Sequence, residues 1–332
     1  MPPLIDANNV RKRFNLEAGF FAPVGRYVYA VNGLSFSIAE NESYGLAGES
    51  GCGKTTAARL LVKMYNYDSG SITYRGAEIG SFKKNELADY RQKIKYVFQD
   101  PARSLNPRMY VYDVLVSGIR WSGHSGNRTR KNEKLLKEKA EAIIEEVGLN
   151  AADLERRPSE FSGGQRQRIS IARGLLAEPE LLICDEVVSA LDVSIQAQIL
   201  NLLTDIRRRR NLSFLFIAHD LKAACWFCDR IGVMYRGEMM EEAPAADLYR
   251  TAVHPYTQLL FSSALNAKTA SASNPAAKTV IKGEVRTALQ ETPGCSFADR
   301  CPKAGERCLK EKPELTLIKT DHKIRCFKQN SF

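Results

Sequence analysis

Gly48-Glu-Ser-Gly-Cys-Gly-Lys-Thr55 is the stretch on which the fold turns. It fits the spacing G-x-x-x-x-G-K-[ST] and lies between a short apolar run, Ser43-Tyr-Gly-Leu-Ala47, and a helical pattern over residues 54–64. Glycines let the backbone curl until successive N–H groups point at phosphate oxygens. Lys54 can reach the β- and γ-phosphates, the Thr55 hydroxyl can take a place on Mg²⁺, and the following helix adds its positive end. Gly48, Glu49, Ser50, Gly51, Cys52, Gly53, Lys54, Thr55 and Thr56 are therefore the candidate phosphate cradle. Cys52 contributes its backbone, since nothing in such a loop requires a thiol.

Outward from this loop the chain reads as α/β. Leu181-Leu-Ile-Cys184 and Phe214-Leu-Phe-Ile217 are wholly apolar, as strands of a parallel sheet covered on both faces are. Ser71–Tyr74 and Ile94–Phe98 are further strands. Tyr27–Val31 and Leu34–Ile38 read as a hairpin turned by Asn32-Gly33. From about 110 to 160 the pattern is helical: Leu135, Leu136, Ile143, Ile144 and Val147 share a face, and Gly148 ends that helix. Asn266-Ala-Lys-Thr-Ala-Ser-Ala-Ser-Asn-Pro275 is small and polar and reads as a linker. The expected organisation is a nucleotide-binding domain at 1–265 with a helical subdomain at about 100–178, a linker at 266–280, and a cysteine-rich extension at 281–332.

Composition narrows the classes. The chain has 332 residues, 44% of them hydrophobic and 26% charged, which excludes a disordered, collagen-like or coiled-coil chain. Forty-eight Lys and Arg against 38 Asp and Glu give a net charge of +10, which favours an acidic partner without choosing one. Neither an apolar run of membrane-spanning length nor a signal-peptide core is visible, so an intracellular chain that meets a membrane only through partners is expected.

A second candidate site follows the apolar strand at 181–184, which ends in Asp185-Glu186. A carboxylate there can hold Mg²⁺, and its neighbour can polarise an attacking water. Alone the pattern is common at strand ends; beside a phosphate loop in the same chain it gains weight. His219 follows the strand over 213–218, and Gln99 follows the strand at 94–98. Ser162 precedes a helix that is expected from Gln165 to about Ala177, whose N-terminus offers free N–H donors and partial positive charge.

Phe161-Ser-Gly-Gly-Gln-Arg-Gln-Arg168 closely resembles the signature motif of ABC-type ATPases. The order then matches throughout: phosphate loop 48–55, Gln99, signature 161–165, acidic strand 181–186, Ser189-Ala-Leu-Asp192, and His219 as the switch. The resemblance covers about residues 4–265 and implies a P-loop ABC-type domain with a mixed sheet core. It implies that Glu186, His219, Gln99 and Lys54 act on ATP, and that Thr55, Gln99 and Asp185 hold Mg²⁺. It further implies that Ser162, Gly163, Gly164 and Gln165 face the nucleotide of a second protomer, and that an aromatic, with Tyr27 preferred over Phe14 and Tyr29, stacks on adenine. Two positions depart from the pattern: Val187 where Pro is usual, and Phe161 where Leu is usual.

Val97-Phe-Gln-Asp-Pro-Ala-Arg-Ser-Leu-Asn-Pro107, His254-Pro-Tyr-Thr-Gln-Leu-Leu260 and Gly294-Cys-Ser-Phe-Ala-Asp-Arg-Cys-Pro302 resemble the ATPases of dipeptide and oligopeptide importers. That subfamily implies a peripheral protein at the cytoplasmic face of the membrane. Its partners would be a second ATPase subunit (a heterodimer favoured over a homodimer), two permeases and an extracytoplasmic solute-binding protein. Nickel or glutathione are alternative cargoes. A soluble ABC ATPase acting on nucleic acid ranks below these, because no second cassette, coiled-coil arm or zinc insert is visible, and no nucleic acid is expected as a partner. Cys295, Cys301, Cys308 and Cys326 provide four thiols in a short segment. Some members of the subfamily bind a [4Fe–4S] cluster there; zinc or no metal are the other readings, and zinc normally wants a tighter first pair. Such a centre is expected to fold the tail while residues 1–265 bind ATP unaided. Cys225-Trp-Phe-Cys228 reads as structural, and Arg207–Arg210 as a solvated helix end.

Overall fold

The computed structural model describes residues 2–15, 27–120, 130–189, 191–266 and 292–328. All but the first residue of the linker expected at 266–280, the first part of the extension and Ala190 lie outside them. In chain order the strands are β1 (Ile5–Asn15), β2 (Tyr27–Ile38), β3 (Ser43–Ala47), β4 (Ser69–Tyr74), β5 (Ala77–Glu78), β6 (Ile94–Val97), β7 (Leu181–Asp185), β8 (Ser213–Ala218), β9 (Arg230–Tyr235), β10 (Glu238–Pro244), β11 (Thr316–Lys319) and β12 (His322–Ile324). The chain divides into two compact units. One comprises Met1–Ala39, Ser43–Gly80 and Phe216–Phe332; the other comprises Glu40–Glu42 and Ser81–Leu215.

The first unit contains an antiparallel sheet in the order β2-β1-β4-β5 and a second run of strands in the order β11-β12-β10-β9-β3. β3 and β9 are parallel, Tyr44 opposite Arg230 through Ala47 opposite Val233. All five residues of β3 are buried, which is why its sequence reads as one apolar run. The hairpin expected at Asn32-Gly33 does not form. β2 is continuous, and Val10 and Arg11 of β1 face Leu34 and Asn32, so that Gly33 is the extra residue of a bulge. Its φ of +73° suits glycine. Asn32 is buried and cannot serve as an exposed turn: its backbone N–H donates to Gly237 O at 2.9 Å, and its amide donates to Glu238 at 3.1 Å.

The tail is no separate body. β12 pairs antiparallel with β10, Ile324 opposite Glu241 and Lys323 opposite Glu242, and β11 pairs with β12. β10 carries three buried carboxylates, and each finds a tail partner. Lys312 reaches Glu238 at 2.6 Å, His322 reaches Glu241 at 2.8 Å and Lys323 reaches Glu242 at 2.9 Å. The tail thus shares its contacts with residues expected to form a self-contained domain at 1–265, and without it these buried carboxylates would lose partners.

In the second unit β6 and β7 are parallel, Ile94 opposite Leu181 through Val97 opposite Cys184. Around them lie helices Val111–Arg120, Arg130–Glu146, Gly163–Leu175 and Val193–Arg210. Gly148 has φ +77° just past the second of these, as its sequence position predicted. The arginines closing the last helix are partly engaged, since Arg210 forms a two-nitrogen contact with Glu146. No helix among the described residues is long and apolar enough to cross a membrane.

Candidate nucleotide site

The phosphate loop leaves β3 and enters helix Lys54–Leu61, with Gly53 in left-handed conformation at the helix cap. Two of its glycines admit no side chain. Gly53 has φ +107°, and a Cβ there would lie 1.9 Å from the Ala30 carbonyl oxygen; at Gly48 it would lie 2.3 Å from Met234 O. Lys54 is buried, its Nζ donating to Gly48 O at 2.7 Å and to Glu49 O at 3.0 Å. The ammonium thus closes the loop on itself, held where a phosphate oxygen could draw it over. Burial raises the Cys52 thiol, so Cys52 is an inert filler, as expected. Thr55 and Thr56 open the helix and are half-buried; Ser50 and Gly51 are exposed at the loop tip.

Glu49 is pinned at several points. Its backbone N–H donates to the Tyr256 hydroxyl at 2.9 Å, and its carboxylate accepts two hydrogen bonds from Arg300 at 2.8 and 2.9 Å. Sequence reasoning missed both partners, because they stand 207 and 251 residues away and nothing local announces them.

The acidic site belongs to the second unit. Asp185 ends β7 and accepts from the Tyr96 hydroxyl at 2.5 Å. Glu186 follows with φ +51°, a left-handed conformation uncommon outside glycine. Its carboxylate accepts from the Gln99 amide at 2.6 Å, and its carbonyl accepts from Ser189 N and Oγ at 3.1 and 2.9 Å. Gln99 and the acidic pair, 86 and 87 positions apart in the chain, are thus brought together as the motif order implied. Val187 is buried, so the expected proline is replaced by an apolar residue that still packs inward. The segment that follows is tied by Gln196, which donates to Val188 O and Leu191 O at 2.9 and 3.0 Å.

Ser162 caps helix Gly163–Leu175, which starts two residues earlier than the sequence suggested. Its Oγ accepts from Gln165 N at 3.3 Å, and the Gln165 side chain accepts from Ser162 N at 2.9 Å. Ser162 and Gly163 are exposed, so this helix end faces outward. A Cβ on Gly164 would sit 2.7 Å from Ile195 Cγ2, which accounts for glycine there. Phe161 is buried beneath the Arg156 guanidinium, 4.5 Å from its ring centre, so the larger side chain is accommodated. His219 is exposed just beyond β8 in the first unit. The Tyr27 ring carries the Arg13 guanidinium at 4.5 Å, whereas Tyr29 lines a cavity of about 320 Å³ with Arg11, Lys12 and Arg13.

The tail cysteines are free thiols that line one cavity together with His254 and Phe297. Burial pushes Cys295 up to about 11 and raises Cys301 and Cys326 as well. Among the described residues, no three His, Cys, Asp or Glu side chains converge closely enough to hold a single metal ion.

Comparison with known proteins places these features in context. Residues 31–189 match the family model described as ABC transporter, and residues 240–308 match the one for the C-terminal region of oligopeptide/dipeptide transporters. The chain is 41% identical over 325 residues to the oligopeptide transport ATP-binding protein AppF of Bacillus subtilis, covering 97% of this chain and 96% of AppF. It is 38% identical over 323 residues to a probable peptide ABC transporter ATP-binding protein, y4tS, of Sinorhizobium fredii, covering 97% of this chain and 89% of that protein. Its fold superposes on the ADP conformation of the ATP-binding cassette MJ1267 with a TM-score of 0.64 at 22% identity, over 79% of this chain and 99% of that one.

Proposed function

The chain belongs to the ABC transporter ATP-binding family, and from that membership we propose that it is the ATP-hydrolysing subunit of an importer for di- or oligopeptides. The observation that carries the reading is the match of the whole chain, tail included, to oligopeptide transport ATP-binding proteins. The protein is peripheral at the cytoplasmic face of the membrane and attaches through two permease subunits. A second ATPase subunit, different from this one, completes the pair, and a solute-binding protein delivers cargo from outside.

Each residue has a proposed role. Backbone N–H groups of the loop over 48–56, other than that of Glu49, which donates to Tyr256, cradle the phosphates, and Lys54 leaves the Gly48 and Glu49 carbonyls for the β- and γ-phosphates. Thr55, Gln99 and Asp185 would hold Mg²⁺, which when bound neutralises charge developing on the phosphate oxygens. Glu186 orients the attacking water and accepts its proton; the Gln99 amide keeps that carboxylate aimed. His219 donates toward the γ-phosphate. Ser162, Gly163, Gly164 and Gln165 present an exposed helix N-terminus to the nucleotide of the second subunit. For the adenine platform, Arg13 covers the ring of Tyr27, the aromatic that the resemblance prefers, whereas Tyr29 opens to a cavity, which supports Tyr29 instead.

The four cysteines are proposed as [4Fe–4S] ligands. What supports this reading is that the four thiols line one cavity. Tetrahedral zinc, with Zn–S near 2.3 Å, would require all four sulfurs to meet at one centre, whereas a cluster spreads its ligands over several irons.

Gene disruption tests the transport reading. Uptake of labelled di- to pentapeptides should fall to background and be restored by the wild-type gene but not by Glu186→Gln. Unchanged peptide uptake with lost nickel or glutathione uptake would reassign the cargo. Anaerobic purification with iron, zinc and sulfide analysis tests the cluster: about four irons per chain support it, and one zinc replaces it.

A further inference from the structure

The phosphate loop and the cysteine-rich tail meet where Arg300 contacts Glu49. Residues Ala298–Arg300 form a single turn that ends immediately before Cys301. Phe297 seats the turn against Tyr235 and Tyr256, with ring centres 5.2 Å away in both cases. From that seat Arg300, its side chain only 9% exposed, grips the Glu49 carboxylate with both terminal nitrogens. The Tyr235 hydroxyl lies 3.4 Å from the same guanidinium. The Glu49 carboxylate holds the guanidinium more firmly protonated than usual, with the Tyr235 hydroxyl adding to the effect.

Glu49 needs such a partner. It is the second residue of a loop built to receive a polyphosphate, and a bare carboxylate there would repel the ligand. Its backbone N–H is also turned to Tyr256 and its carbonyl to Lys54. The residue thus anchors the first turn of the loop rather than lining the cradle.

We propose that Arg300 is a positioning residue of the phosphate loop: it cancels the Glu49 charge and fixes the loop's first turn, so that the cysteine-rich tail sets how tightly the chain holds a nucleoside triphosphate. The inference rests on the reading of residues 48–55 as the nucleotide cradle. It assigns the tail a role at the ATP site in addition to any metal that the tail holds. Cys301 is covalently next to Arg300, so disturbance of the cysteine segment is transmitted to the loop through one ion pair.

The test uses the full-length protein, with ADP and a non-hydrolysable ATP analogue titrated calorimetrically in the presence of Mg²⁺. Arg300→Gln should weaken binding of the triphosphate about tenfold, which is the effect of one uncompensated charge near an anion in a partly screened site. The loss should be smaller for ADP and should shrink on raising salt from about 50 mM to about 500 mM. Adding Glu49→Gln to Arg300→Gln removes the stranded carboxylate and should recover most of the affinity, an outcome a merely structural role does not predict. Unchanged affinity in a cooperatively melting Arg300→Gln protein overturns the proposal. So does a double variant that binds as weakly as the single one, or more weakly. If Arg300→Gln does not fold, Arg300→Lys takes its place; it keeps the charge but not the two-point contact, and its smaller loss should likewise be relieved by Glu49→Gln, while an unrelieved or absent loss overturns the proposal. Lys54→Ala runs alongside: if that variant binds nucleotide normally, the reading of the cradle has failed rather than the role of Arg300.

Discussion

At the residue scale, chemistry is concentrated in a few side chains whose partners define their tasks. Glu186 is held in left-handed backbone conformation with its carboxylate on the Gln99 amide. Strain of this kind persists only where surrounding contacts enforce it, and here Ser189 and Gln99 do so. Glu186→Gln keeps the shape and removes the charge. It should leave ATP binding intact and lower hydrolysis by about 10²–10⁴-fold, measured as phosphate release; near-normal turnover would remove Glu186 from the base role. Gly53→Ala tests the loop itself. Its Cβ would overlap the Ala30 carbonyl, at a φ that side chains avoid. The variant should lose detectable nucleotide binding in calorimetry while helix content by circular dichroism stays close to wild type. Tight binding by a folded Gly53→Ala protein would contradict this account of the loop. The glycines and the lysine of this motif were legible in the sequence because a cradle of backbone N–H groups demands them locally. Arg300 and Tyr256 were not, because a partner more than 200 residues away leaves no periodic or spaced trace.

At the element scale, β10 is the unexpected feature. A strand reading Glu-Met-Met-Glu-Glu-Ala-Pro looks half exposed, yet six of its seven residues are buried. The burial is tolerable because the tail lays Lys312, His322 and Lys323 against its three carboxylates. Leaving a buried carboxylate without a hydrogen-bond partner costs about 1–3 kcal/mol, and three such losses together are large against the about 5–15 kcal/mol by which a whole domain is stable. A chain ended after Asn266 should therefore express as an insoluble or non-cooperatively melting protein. A sharp thermal transition with normal ATP binding would show that the tail is dispensable. His322→Leu, a gentler change, should lower stability by about 1–3 kcal/mol in urea titration, because Glu241 loses one of its three hydrogen-bond partners.

The same region predicts a pH response. Burial pushes His254 down to about 4, only partly offset by the Glu241 charge, and its Nδ1 accepts from Tyr256 N at 3.1 Å. The folded state thus keeps this imidazole neutral while the unfolded chain protonates it near 6.5. Between those values the unfolded state binds more protons, so stability is fully present above about pH 6.5 and is lost as pH falls toward about 4, by about 3 kcal/mol in all. His254→Gln should flatten the urea midpoint across this window. An equally steep pH dependence in the variant would place the titrating group elsewhere.

At the scale of the whole molecule, the exposed signature helix and the phosphate loop are proposed to serve the nucleotides of two different chains. In a dimer with Lys54→Ala on one subunit and Ser162→Arg on the other, both changes strike a single composite site. Their effects on ATPase rate should be far from additive; independent, multiplicative losses would indicate two complete sites. Local chemistry made the order of motifs readable from the sequence by itself: phosphate loop, Gln99, signature, acidic strand and switch histidine each need particular residue types at short spacing, and their succession identified the family. It also made legible the largely apolar strands β3, β7 and β8, since burial on both faces leaves no polar alternation. Tertiary structure alone decided that Asn32-Gly33 is a bulge, because Gly237 and Glu238 claim the asparagine that would otherwise turn a hairpin. It alone decided that the tail joins the first unit's strands and reaches the phosphate loop, because pairing between β10 and β12 and the Arg300–Glu49 contact depend on segments distant in sequence meeting in space.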